Sequence, residues 1–223
     1  MTDPKEFFDA VRKGDATKVD GMLAKDKSLL TAKTDRGFRA VAVAAYMGGP
    51  SVLKTVLAHK PTMNVHEAAL AGDLKRVKEL VEKDPKLAND ASSPDGFPPL
   101  GLAAFMGRAD VVTYLLAKGA DLNFASPGLG FTALTGAVNS NHPEVVKILI
   151  KAGAKPNYLY EEGAASVMTT AAANGNLEIM RTLLDAGADP NLATKDGKTP
   201  LMWAVEKGHR QVADLLRRRG ATK

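Results

Sequence analysis

Three stretches, ADVVTYLLAKGA (109–120), PEVVKILIKAGA (143–154) and LEIMRTLLDAGA (177–188), return an apolar residue at every third or fourth position. That period places the apolar side chains on one stripe of a helix. Each stretch ends in Gly-Ala, where the glycine tolerates the left-handed conformation that terminates a helix. A shorter, alanine-rich run precedes each one, and the same pairing recurs along the chain. The runs are DAVRKG, AAYMG, EAALAG, AAFMG, GAVNSN, AAANG and WAVEKG, closing at Gly14, Gly48, Gly72, Gly107, Asn141, Gly175 and Gly208. The intervals are 34, 24, 35, 34, 34 and 33 residues. The pattern predicts a first helix ending at the glycine and a second, antiparallel helix after it. Each pair is too small to bury its own apolar face, so neighbouring pairs must supply the rest.

The last unit, DGKTPLMWAVEKGHRQVADLLRRRGA, resembles the ankyrin repeat, and the connectors GADLN (119–123), GAKPN (153–157) and GADPN (187–191) resemble that family's link into its β-turn finger. The resemblance covers nearly the whole chain. It implies an all-α repeat solenoid, a right-handed curved stack of seven helix pairs with β-turn fingers, in units near 4–33, 34–60, 61–92, 93–125, 126–158, 159–191 and 192–223. It also implies a non-enzymatic scaffold that binds a protein partner on a concave face of finger tips and first helices.

Departures from the pattern carry their own expectations. GFRAVAVAAYMG (37–48) and GFPPLGLAAFMG (96–107) nearly repeat each other, and AKDKSLL and EKDPKLA replace the usual connector before them. A two-repeat block therefore reads as duplicated. The 24-residue interval leaves no room for a finger in VLAHKPTMNVHEAALAG, where Pro61 breaks into the next helix. EEGAASVM stands where a finger would carry D-G-x-T-P-L, which predicts a looser finger in the sixth unit.

Composition narrows the chemistry. The 223 residues include no cysteine, which excludes thiolate metal sites and disulfides. The N-terminus carries charge from its third residue, and no apolar run is expected to approach the roughly 18 residues of a membrane span. These features lead to the expectation of a cytoplasmic monomer. Residues 1–193 balance 22 basic against 22 acidic side chains, so the net charge of +5 comes from eight bases and three acids in the last thirty residues. That basic end serves as a solubilising cap, or, in the alternative reading, binds nucleic acid or an acidic membrane electrostatically.

No catalytic constellation emerges, and no cofactor, metal or small-molecule substrate is implied. His59, His66, His142 and His209 fall in different units. By the family resemblance, His142 and His209 bond the local backbone. GLGFTALTG (128–136) lacks the phosphate-loop lysine and reads as a finger turn. Glu161 and Glu162 lie in the sixth finger, and Trp203 is read as core packing between repeats. The repeat register places Arg36, Phe38, Tyr46, Met47, Leu70, Phe97, Phe105, Met106, Leu129, Phe131 and Asn139 on the exposed partner-binding face. Aromatics and methionine in such slots are interface chemistry. Phe38 with Tyr46, and Phe97 with Phe105, read as matching pairs flanking a shallow notch.

Overall fold

The computed structural model describes residues 3–222 and is mostly helical. The chain divides into two compact units, Met1–Pro99 and Leu100–Lys223.

The first unit holds α1 (Pro4–Arg12), α2 (Ala16–Lys25), α3 (Ala40–Val43), a π-helical turn over Ala44–Gly48, α4 (Gly49–Ala58), α5 (Val65–Ala71) and α6 (Leu74–Lys83). Short polar side chains start these helices. Asp15 and Asp73 accept hydrogen bonds from Lys18 and Arg76 amides at the heads of α2 and α6, and Asn64 with Glu67 forms a reciprocal capping box on α5. The core sets Phe7, Leu23 and Leu29 among smaller side chains: Val11, Val19, Val41, Ala44, Val52, Ala68, Ala69 and Val77 are fully enclosed or nearly so. Alanines on the first helices let neighbours close up. A turn over 33–39 forms one finger, with the Thr34 amide donating to the Phe38 carbonyl at 2.9 Å and Lys33 bridged to Arg39. Six residues, 59–64, join α4 to α5 without a hairpin.

Gly48 does not close its helix. Its φ is −83°, and the left-handed residue is Gly49, at 72°. The π turn inserts one extra residue, so the reversal moves one place along. Gly48 is needed for another reason: a β-carbon there would lie 2.9 Å from Val52 Cγ1 and 3.0 Å from the Val11 carbonyl. Taken together, and contrary to the expectation from sequence that no apolar run approaches that length, Ala40–Ala58 is a 19-residue stretch long and apolar enough, by length and composition, to cross a membrane. Gly49 divides it, however, and Ala40–Ala44, Val52, Leu53 and Val56 are buried in the protein core.

The second unit takes in all but the first residue of α7 (Pro99–Phe105), then α8 (Ala109–Ala117), α9 (Ala133–Asn139), α10 (Pro143–Lys151), α11 (Val167–Asn174), α12 (Leu177–Asp185), α13 (Pro200–Glu206) and α14 (Arg210–Arg218). The closing positions Gly107, Asn141, Gly175 and Gly208 all have φ between 60° and 73°. The connector asparagines bind forward: Asn157 Oδ1 accepts from the Asp189 amide at 2.7 Å, and Asn191 Oδ1 from the Thr222 amide at 3.0 Å.

The sixth finger is more regular than its sequence predicts. β1 (Leu159–Tyr160) pairs antiparallel with β2 (Ala165–Ser166) across a turn in which Glu161 and Glu162 both take positive φ. Hydrogen bonds from its neighbours hold it in line, since the Glu161 amide donates to the Leu129 carbonyl at 2.8 Å and the Lys195 amide to the Gly163 carbonyl at 2.9 Å. The buried Tyr160 ring anchors it from beneath.

Candidate functional site

Finger and first helix meet through aromatic side chains in the first unit. Phe38 stands edge-on to Tyr46, ring centroids 5.9 Å apart and planes at 86°. The Arg36 guanidinium lies 5.5 Å from the Phe38 ring centre, within cation–π range. The Tyr46 hydroxyl donates to Asp95 Oδ2 at 2.5 Å, joining the π turn to the 93–97 turn. Burial, reinforced by that carboxylate, pushes the Tyr46 phenol far up, so it stays a donor. Asp95 is fixed in turn: the Ser93 hydroxyl lies 2.7 Å from both Asp95 Oδ1 and the Phe97 carbonyl. Met47, next along the π turn, is 60% exposed.

These positions separate the expected surface into two classes. Arg36, Met47, Phe105, Leu129 and Asn139 are exposed, whereas Phe38, Tyr46, Phe97, Met106 and Phe131 are half-buried. Phe38 folds onto the first helix of its own unit, and Phe131 packs against Tyr160 at 5.3 Å. Asn139 accepts a hydrogen bond from the Tyr160 hydroxyl at 3.3 Å. Leu70 is not on the surface at all. It is 2% exposed, because α5 buries residues 65–70 without a break.

Trp203 is likewise misplaced by the register. It is half-buried rather than core, with Lys198 Nζ 4.3 Å and Lys207 Nζ 5.6 Å from the ring centre. His142 and His209 reach further than the local backbone. Their Nε2 atoms bond the carbonyls of Phe105 and Ala173, each at 3.0 Å and each in the preceding helix pair.

One feature of the first unit was missed by sequence reasoning. Glu67, 4% exposed, forms an ion pair with Arg39, whose Nε donates to Glu67 Oε1 at 3.0 Å. The same guanidinium donates to the Thr62 carbonyl at 3.2 Å, within the finger-less connection. Burial lowers the Arg39 pKa. An acid at the third position of a helix that opens with Asn is a recognisable cap, but nothing in the spacing names its partner 28 residues away. Among the described residues no group of three His, Asp or Glu gathers to hold a metal ion.

No curated protein matches this chain. The family model described as ankyrin repeats (3 copies) matches residues 65–160 and 157–223. With helix pairs, left-handed closing glycines and hydrogen-bonded fingers in place, the chain belongs to the ankyrin-repeat family.

Proposed function

We propose that this protein is a non-enzymatic scaffold of seven repeats that binds a protein partner through its finger tips and first helices. Ankyrin repeats generally mediate protein–protein interaction. The observation that carries the reading is Met47. A 60% exposed methionine on a π turn is an unpaired apolar group beside a rigid frame of Arg36, Phe38, Tyr46 and Asp95. Rings locked by packing lose little entropy on binding, and a flexible thioether adapts to an apolar partner surface. Phe105 and Leu129 supply the corresponding exposed groups in the second unit.

Wild type and Met47→Glu can be used as parallel baits in the native lysate, with quantification of captured proteins. At least one protein held by wild type is expected to be lost from Met47→Glu and kept by Arg181→Glu, an exposed change on α12. Identical capture by all three would overturn the reading.

The electrostatic alternative is supported by Lys195, Lys207, Arg210 and Arg218, which have no ion-pair partner among the described residues. Arg217 and Arg219 are paired with Asp214 and Asp185 at 3.1 and 2.6 Å. Replacing Arg217, Arg218 and Arg219 by Gln is expected to lower solubility and leave partner affinity unchanged. Loss of binding, together with a steep salt dependence in wild type, would favour the alternative.

A further inference from the structure

Two departures from the repeat pattern meet at one place in the first unit. The variant ending after α2 and the short connection after α4 enclose a cleft of about 480 Å³, within the range of small-molecule sites. Leu30, Ala58 and Pro61 give it apolar walls, while Lys27 and Lys60 line it with positive charge. Among the described residues no acidic side chain lines it. The nearby acids have partners of their own: Asp20 bonds Nε2 of His59, itself a residue of the cleft wall, at 2.8 Å, and Asp26 accepts from the Ser28 amide and hydroxyl at 3.0 and 2.6 Å.

Both lysines occupy positions where the chain elsewhere uses a residue without charge. The residue two places beyond α8, α10, α12 and α14 is glycine in every case, at positions 119, 153, 187 and 220, with φ between 79° and 99°. Two places beyond α4 stands Lys60, with φ 54°. A long side chain in the left-handed region is strained, and such strain persists where the surrounding structure holds it, often at functional sites. Lys27 follows Asp26 at the start of its 3-10 turn, where the parallel turn after α6 has Pro85 following Asp84.

We infer that this cleft binds a small organic anion, its apolar body against Leu30, Ala58 and Pro61 and its carboxylate or phosphate between Lys27 and Lys60. Charge-assisted hydrogen bonds from two ammonium groups supply the recognition.

Amide NMR titrations of the full chain with phenyl phosphate, phenylacetate and neutral benzyl alcohol test this. Saturable shifts are expected at Lys27, His59, Lys60 and Thr62 with one or both anions and not with the alcohol. The tighter anion identifies the head group as phosphate or carboxylate. Lys27→Gln and Lys60→Gly are each expected to weaken binding by about tenfold. Lys60→Gly should also raise the melting temperature by relieving the left-handed strain, which separates loss of binding from loss of fold. Undiminished affinity in both variants, equal shifts with the alcohol, or shifts spread over other lysine-rich surfaces would overturn the inference.

Discussion

Gly107→Val is expected to lower the melting temperature by roughly 6–12 °C, corresponding to about 3 kcal/mol at about 2–4 °C per kcal/mol for a chain of this size. Two costs combine. Gly107 has φ 69°, where an L side chain costs about 1–2 kcal/mol, more if β-branched. Its new β-carbon would also lie 2.6 Å from His142 Nδ1, pushing the imidazole off the Phe105 carbonyl and losing a hydrogen bond of about 1 kcal/mol. Gly136→Ala is the contrasting case. Gly136 lies within α9, and its added β-carbon would sit 3.5 Å from Phe105 Cβ, an ordinary contact. It should gain about 0.5–1 kcal/mol from helix propensity. Differential scanning calorimetry of both variants checks the pair, and equal melting temperatures would contradict it.

Glu67→Gln is expected to destabilise by about 2 kcal/mol, because it leaves the half-buried Arg39 charge without its counter-ion. Arg39 and Glu67 expose only 20% and 6% of their side chains, so solvent screens the pair little. The amide retains an oxygen for the Asn64 amide, which Glu67 Oε2 now meets at 3.1 Å, so the cap itself is largely preserved. Arg39→Met with Glu67→Leu removes both charges and should recover much of the loss, minus about 1 kcal/mol for the cap. Urea unfolding of Arg39→Met, Glu67→Leu and the double variant gives the coupling energy. A coupling near zero would mean that the pair contributes nothing beyond its separate packing.

The sequence and the structure agree where one residue type answers one local demand. Left-handed closing positions need Gly or Asn, and they have Gly or Asn from Gly72 onward. Packed first helices need small residues, hence the alanine runs. The π turn is illegible because an inserted residue leaves the alanine run and both glycines in place, so Gly48 and Gly49 cannot be told apart by pattern. Exposure at Leu70 and Trp203 depends on how completely neighbouring elements cover a helix, and repeat register carries no such information. The sixth finger was misjudged because two residues on each strand give too little alternation to read, and its turn relies on glutamates at positive φ, which glutamate seldom adopts. Arg39 and Glu67 were missed because an ion pair between separate helix starts has no signature in spacing. The exposed slots themselves were partly legible. Met47, Phe105 and Leu129 are exposed as the register predicts, while Phe38 and Phe131 turn inward onto Tyr46 and Tyr160.

Binding through fingers and first helices can be tested by hydrogen–deuterium exchange of the chain, alone and with a partner captured by wild type. Amides of the 34–38 turn and of Tyr46 and Met47 are expected to exchange more slowly in the complex. Those of α2, α12 and α14 should exchange at unchanged rates. Protection confined to α14, or to second helices with the 34–47 segment unaffected, would contradict the account.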